Sequence, residues 1–290
     1  MGKALAEQYA VARAVFEEAD GALGFPLSAL CFDGPEDALK LTENTQPALL
    51  AVSTAAFRVL AERGFAPDYV AGHSLGEYSA LVAARSLQFA DAVRLVRQRG
   101  RYMQEAVPPG KGAMAALLRL PEGALDGILQ QAAQGEVVSA VNLNAPDQVV
   151  IAGHAGAVNR AIELAKAAGA RRAILLQVSA PFHCALMKPA QERLAADLNA
   201  TNFSDLTCPL VNNWQAQEAR TGAAARQGLY EQVPNPVRWA ESIRYLAAQG
   251  VARFIEVGAG GVLTGLLRSM DRSLQGFRFG DPADLEKLSA

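Results

Sequence analysis

The sequence predicts an α/β protein in which a large unit with a mostly parallel sheet is interrupted by a smaller, ferredoxin-like insert. Three observations carry this. Short apolar runs of strand length alternate with amphipathic runs of helix length, the pattern of a sheet covered on both faces. The cluster Val107-Pro108-Pro109-Gly110 marks a boundary at which the pattern changes. Beyond it, roughly seventy residues, enough for a small domain, read β-α-β-β-α-β, the split-βαβ plan.

The elements follow in order. Met1 to Glu18 has an amphipathic helical pattern. Thr45 to Arg63 is a helix whose apolar face includes Leu49, Leu50, Val52, Phe57 and Leu60, with Pro47 in its first turn and Pro67 beyond its end. Asp68 to His73 is a short strand, followed by helices over Leu75 to Ala84 and Phe89 to Glu105. In the insert, Gly112 to Leu120, Val137 to Leu143, Gln148 to Gly153 and Arg172 to Val178 are strands. Pro121 to Ala133 and Ala157 to Ala168 are its helices, and Asn144 to Asp147 its turn. The large unit resumes at Ser179. It continues with a helix over Leu186 to Asn199, a strand over Cys208 to Asn212 and a helix over Pro236 to Gln249. A buried strand, Phe254 to Val257, then leads through Gly258-Ala259-Gly260-Gly261 into a helix over Val262 to Ser269. The expected division is 1–110 and 179–290 for the large unit and 111–178 for the insert.

Composition excludes several classes. Hydrophobic residues make up 51% and charged residues 19%, so the chain is not a disordered, highly charged one. The 27 basic and 29 acidic side chains nearly cancel, leaving no field that selects nucleic acid or an anionic membrane. The apolar run from Pro47 to Phe57 is too short to span a bilayer, and the first residues lack the pattern of a signal peptide. Three cysteines, Cys31, Cys184 and Cys208, give no disulfide framework and suit a reducing cytoplasm. The histidines at 73, 154 and 183 stand at no metal-ligand spacing, so neither a metal nor a cofactor is expected.

One motif carries chemistry. Gly72-His73-Ser74-Leu75-Gly76 matches G-x-S-x-G at a strand-to-helix junction. The sharp turn lifts the Ser74 oxygen off the strand end, and its flanking glycines let the backbone fold that tightly. The Leu75 N–H and the positive end of the following helix would then face an oxyanion. A serine needs a base within hydrogen-bond reach. His73 is adjacent, but neighbouring strand side chains point to opposite faces. His154 ends an insert strand and reads as a surface or loop residue. His183, in the crossover loop Ser179-Ala180-Pro181-Phe182-His183-Cys184, is the best base by elimination. Arg97, Arg99 and Arg101 ordinarily mark a solvated face; one of them pointing inward could grip a carboxylate with two parallel hydrogen bonds. Asn142 and Asn144, at alternate strand positions, share a side and either line the cleft between the two units or bond the local turn.

These segments resemble, almost end to end, the bacterial malonyl-CoA:acyl carrier protein transacylases. The resemblance rests on Gly72 to Leu81, Thr45 to Leu50, Arg99 to Ala106, Gly112 to Ala116, Gln148 to His154, His183 to Met187, Asn235 to Val237, Glu256 to Gly258 and Val262 to Leu266. It implies an α/β hydrolase-like large subdomain with a ferredoxin-like small one, and a cytoplasmic acyltransferase of fatty acid biosynthesis, expected as a monomer. Ser74 would take the malonyl group as an ester, and His183 would serve as base and then acid. The Gln232 backbone carbonyl would orient His183. Arg99 would hold the free carboxylate, and Phe182 resembles the bulky residue associated with the choice of malonyl over methylmalonyl. The partner thiol would belong to acyl carrier protein, which is acidic, and Arg171 and Arg172 are candidates for docking it.

One departure accompanies the resemblance. Family members begin with a strand and a Gly-Gln-Gly-Ser-Gln loop ahead of the helix seen here at Met1. The first glutamine of that loop supplies a second oxyanion donor alongside Leu75. A missed start or a truncation is the expectation, with weak or no transfer by the chain as it stands. The rival readings are a serine esterase or acyl hydrolase and a non-catalytic paralogue.

Overall fold

The computed structural model describes residues 1–178 and 180–288. The expected restart of the large unit at Ser179 therefore falls on a residue outside those described. The N-terminal segment forms two helices, α1 (Lys3–Gln8) and α2 (Ala10–Leu23), because Tyr9 between them is extended at φ −122°. α3 (Leu27–Asp33) and α4 (Glu36–Lys40) follow, and then the long α5 (Thr42–Glu62). α5 starts earlier than its sequence pattern suggests, as the Leu41 carbonyl accepts from Thr45 N–H at 2.8 Å. Pro47 thus falls in the second turn, not the first.

Leu50, Ala51, Val52, Ala55, Ala56 and Val59 on α5 are fully buried and form the centre of the main core. Against them pack α2 and α7 (Phe89–Glu105), the latter matching its predicted bounds. A Cβ on Gly100 would stand 2.6 Å from the Thr42 carbonyl oxygen, so glycine there is what lets α7 lie against the start of α5.

Between α5 and α7, β1 (Val70–Ala71) leads into α6 (Gly76–Ala83). The insert contributes β2 (Gly112–Leu118), α8 (Ala124–Ala133), β3 (Val138–Ala145), β4 (Gln148–His154), α9 (Ala155–Ala167) and β5 (Arg172–Leu175). These strands form an antiparallel sheet ordered β3-β4-β2-β5, the ferredoxin-like arrangement. The helices α8 and α9 cover one face and share an apolar core with it, built on Ala115, Leu117, Ile128, Ile151, Val158 and Ala161.

The rest of the large unit is α10 (Lys188–Ala200), β6 (Leu210–Val211), β7 (Glu218–Ala219), α11 (Gly222–Gln232), α12 (Trp239–Ala248), β8 (Arg253–Val257), α13 (Val262–Met270) and β9 (Gln275–Phe279). A single 3-10 turn, Ala185–Met187, precedes α10. The pairs β1–β6 and β8–β9 are parallel, as expected, while β7 adds antiparallel to β6. The predicted strands Asp68 to His73 and Cys208 to Asn212 shrink to two paired residues each. On the β1 side the chain turns away at Ser74, which takes the left-handed backbone region at φ 52°. The two units join at backbone level: Val237 N–H donates to Val141 O at 2.9 Å, and Leu143 N–H donates to Val237 O at 2.9 Å. This clasp fixes β3 beside the end of the nucleophile turn. Among the described residues no helix is long and apolar enough to cross a membrane.

Candidate active site

The turn carrying Ser74 joins β1 to α6. A Cβ on Gly72 would lie 1.9 Å from the Gly76 carbonyl carbon and oxygen, so only glycine fits at 72. At Gly76 a Cβ would meet nothing within 4 Å, which corrects the expectation that both flanking glycines are needed for tightness. The chain folds back over Gly72 and leaves Gly76 facing open space. The turn is closed by Gly76 N–H to His73 O at 2.9 Å and Glu77 N–H to Ser74 O at 3.1 Å. Leu75 sits at the amino end of α6, and among the described residues its N–H meets no acceptor.

Asn213, just beyond β6 and fully buried, clamps this turn from below. Its Oδ1 accepts from Ser74 N–H at 2.7 Å, and its Nδ2 donates to Gly72 O at 2.7 Å. One side chain therefore holds both sides of a strained backbone, which offsets the cost of a non-glycine residue at positive φ.

Ser74 Oγ meets two groups. His183 Nε2 lies 2.7 Å away, and Arg99 Nη2 donates to it at 3.1 Å. His183 comes from the crossover loop after β5, itself at φ 62°, and is 3% exposed. Pro181 in that loop presses on the start of β2, where a Cβ on Gly112 would clash at 2.4 Å. The insert thus seats the loop that carries the histidine. His183 Nδ1 lies 2.9 Å from the Gln232 backbone oxygen. Burial, and then the charge of Arg99, pull its pKa down to about 3, while the Gln232 carbonyl pulls upward. It is a neutral imidazole throughout the ordinary pH range.

Arg99 is the inward member of the three arginines. It lies on the same face of α7 as Ala92, Val96 and Met103 and is 2% exposed. That i, i+4, i+7, i+11 spacing is the signal that separates it from Arg97 and Arg101. Its Nη1 donates to Gln46 Oε1 at 2.6 Å and its Nη2 to Gln232 Oε1 at 2.8 Å. The guanidinium carbon lies 5.4 Å from the centre of the Tyr78 ring. Burial lowers its pKa, but from so high an ordinary value that it stays charged.

Gln232, at the end of α11, joins these groups. Its side-chain Nε2 donates to Ser74 O at 3.0 Å and to Glu77 Oε2 at 2.9 Å, with Asn213 Oδ1 at 3.2 Å. Glu77, Gln46 and Asn213 are parts of the site that residue-level reading missed. Glu77 looked like an ordinary first-turn acid, and Gln46 and Asn213 carry no motif of their own. The only sequence hint is their polarity within otherwise apolar stretches, Thr45 to Ala51 and Pro209 to Trp214.

The remaining candidates fall as follows. Asn144 is buried, and its Oδ1 lies 2.9 Å from His73 Nε2, while the His73 ring packs on Trp239 at 5.7 Å. Asn142, also buried, forms the β-bridge to Val237 at the clasp between the units. Phe182 is half-buried and packs against the main core and the cluster of Met114, Val141 and Cys184. Arg171 and Arg172 are both exposed at the β5 edge. His154 has a structural post: its Nδ1 accepts from Val137 N–H at 2.9 Å. Burial pushes the Cys184 thiol up to about 11, so it is no rival nucleophile. Among the described residues no group of three or more His, Cys, Asp or Glu is placed to hold a metal ion.

A half-buried turn hydroxyl bonded to a neutral imidazole can attack a carbonyl, and the buried guanidinium on the same oxygen can grip an acid group. Such a centre on an α/β scaffold has the chemistry of the acyl-transferring proteins. The acyl transferase domain model matches residues 1–278, and the chain belongs to that family. The malonyl CoA-acyl carrier protein transacylase of Escherichia coli (strain K12) is 50% identical over 280 residues, covering 96% of this chain and 91% of its own. That of Bacillus subtilis (strain 168) is 48% identical over 287 residues, covering 99% and 90%. A solved acyl carrier protein S-malonyltransferase from Vibrio cholerae superposes with a TM-score of 0.97 at 48% identity, covering 99% of this chain and 94% of the other. A malonyl-transacylase solved in complex with a type II PKS acyl-carrier protein gives a TM-score of 0.96 at 47% identity, covering 99% and 93%.

Proposed function

We propose that the chain transfers the malonyl group of malonyl-CoA to the phosphopantetheine thiol of acyl carrier protein, supplying fatty acid synthesis, through an ester on Ser74. The observation that carries this reading is the single oxygen, Ser74 Oγ, held between His183 Nε2 at 2.7 Å and Arg99 Nη2 at 3.1 Å. One neighbour takes the proton; the other marks where a carboxylate belongs.

In the first half-reaction Ser74 Oγ bonds to the thioester carbonyl carbon as its proton passes to His183 Nε2. The oxyanion faces the Leu75 N–H. The carbon–sulfur bond then breaks, and His183 returns the proton to the departing thiolate. The carrier thiol repeats the sequence in reverse on the ester. Arg99 fixes the far end of the acyl group. An acetyl group would forgo the charge-assisted hydrogen bonds to the guanidinium, worth about 1.5–3 kcal/mol each. The carboxylate has a second effect. It offsets the guanidinium charge that depresses His183, so the base strengthens when the correct acyl group is in place. Phe182, next to His183, bounds the acyl group, and Asn142 and Asn144 line the cleft beside it. No cofactor and no metal take part.

The acidic carrier protein docks on Arg171 and Arg172, exposed at the edge strand of the small unit. The catalytic subdomain comprises 1–110 and 179–290, and the small one 111–178. We place the protein in the cytoplasm as a monomer. The esterase reading loses ground because the partner of His183 Nδ1 is a backbone carbonyl and not a carboxylate. Incubation with malonyl-CoA and holo-acyl carrier protein, read by mass of the carrier, tests the proposal. Malonyl on the pantetheine thiol is the expected product; release of free malonate with an unmodified carrier would refute it.

A further inference from the structure

Glu77 stands in the first turn of α6, yet it is fully buried. Its two oxygens are treated differently. Oε2 accepts from Asn213 N–H at 3.0 Å and from Gln232 Nε2 at 2.9 Å. Oε1 is buried with no hydrogen-bond partner among the described residues. Gly228, one turn before Gln232 on α11, lies beside that oxygen, and a Cβ there would stand 3.4 Å from it, in ordinary contact. A buried carboxylate with one bare oxygen is costly when ionised, unless a positive charge stands close.

That charge is Arg99. The Gln232 side-chain amide links the two, its oxygen accepting from Arg99 Nη2 at 2.8 Å and its nitrogen donating to Glu77 Oε2. The other groups packed against Glu77 are neutral. They are Tyr78 on its own helix, Gln232 and Gly228 on α11, and Asn213 after β6. His183, beyond the Gln232 carbonyl, is a neutral imidazole. Arg99 and Glu77 therefore balance each other across one amide. A second carboxylate on Arg99 would leave two negative groups competing for one guanidinium inside a buried site.

We propose that Glu77 is the proton-accepting counter-charge of the acyl site: ionised opposite an unliganded Arg99, it takes a proton from the medium onto Oε1 when an acyl carboxylate settles on that arginine. No bond to carbon changes in this step, and the net charge of the site is the same before and after loading. The inference rests on the reading of Arg99 as the carboxylate holder. Burial pushes the Glu77 carboxyl up to about 7, against the pull of Gln232, Asn213 and Arg99. A ligand carboxylate cancels the pull of Arg99 and carries the group higher. Somewhat above neutrality Glu77 then changes from mostly ionised to protonated on loading, while His183 stays neutral in both states.

Calorimetric titration of Ser74→Ala protein, which binds without turnover, reads the proton directly. The titration is run at about pH 8 in buffers of different ionisation enthalpy, with malonyl-CoA and with acetyl-CoA, which lacks the acyl carboxylate. Malonyl-CoA is expected to take up about one-half to one proton more than acetyl-CoA. The excess is expected to vanish in Ser74→Ala/Glu77→Gln. Equal proton counts for the two thioesters, or an excess that persists with Gln at 77, would overturn the proposal. A wild-type readout stands beside the variant in case it misfolds. Malonyl loading should add to the infrared difference spectrum a protonated-carboxyl band that shifts in heavy water, and no such band counts against the proposal. Adding Arg99→Ala separates the two readings. Malonyl-CoA affinity unaffected by that change would remove the carboxylate site itself, and the inference with it. Arg99-dependent binding without proton uptake would remove Glu77 alone.

Discussion

His183 Nδ1 lies 2.9 Å from the Gln232 backbone oxygen, while His183 Nε2 lies 2.7 Å from Ser74 Oγ. A carbonyl only accepts, so Nδ1 carries the proton and Nε2 presents its lone pair to the serine. A backbone atom thus sets the tautomer of the base, and no substitution at 232 can remove it without moving the chain. His183→Gln keeps a polar side chain but abolishes the base. Acylation, followed as coenzyme A release in a single turnover, is expected to slow by about 10²–10⁴-fold. An unchanged rate would take His183 out of the mechanism.

Arg99→Ala empties the acid-binding end of the site. Malonyl transfer is expected to fall by about 10²–10³-fold, the equivalent of about 3–4 kcal/mol for a lost buried charge partner, and acetyl-CoA should become a competing acyl donor. The ratio of kcat/KM for the two thioesters measures this. A malonyl preference that survives the substitution would contradict the role given to Arg99.

The two glycines around Ser74 should respond oppositely to alanine. A Cβ at 72 collides with the Gly76 carbonyl at 1.9 Å, whereas one at 76 meets open space. Gly72→Ala is expected to cost at least about 4 kcal/mol, seen as a large fall in the urea midpoint or as failure to fold. Gly76→Ala, at the start of a helix, should leave stability within about 1 kcal/mol of the wild type. Equal losses would mean that the turn is built otherwise.

Stability should depend on pH through two opposed groups. Folding pulls His183 from an ordinary value near 6.5 down to about 3, so between these values the unfolded chain binds more protons and stability falls as pH drops. Half-buried His73, lowered by the desolvation of its ring, adds to this slope. Glu77 is raised from 4.5 to about 7, so its contribution is present at low pH and is lost as pH rises through that window. Between about 4.5 and 6.5 the two effects oppose, and the wild-type curve is flattened. Glu77→Gln removes one of them, so its urea midpoints are expected to climb more steeply with pH across this window. Parallel curves for the two proteins would contradict the opposed titrations.

Much of this architecture was legible from residues alone, for identifiable reasons. The insert declared itself because its strands alternate strongly and its helices carry clean apolar stripes. The helix Phe89–Glu105 was bounded correctly because Gln88 and Val107-Pro108 flank a strongly amphipathic run. Ser74 stands out through its turn and His183 through the shortage of histidines, and the structure brings the two side chains to 2.7 Å. α11 was missed because Gly222 and Gly228 weaken its pattern. β9, with Gly276 at its second position, and the two-residue β7 are too weak or too short for alternation to show. Asn213 was hidden for a different reason. Its role depends on a strand pairing, β1 with β6, that brings together residues about 140 positions apart, and nothing local encodes it.

The most direct test of the account is the intact mass of the protein after exposure to malonyl-CoA, followed by peptide mapping. The account predicts one malonyl group on Ser74, discharged by holo-acyl carrier protein, and none in Ser74→Ala. A malonyl group that persists in Ser74→Ala, or one that the carrier thiol cannot remove, would contradict it.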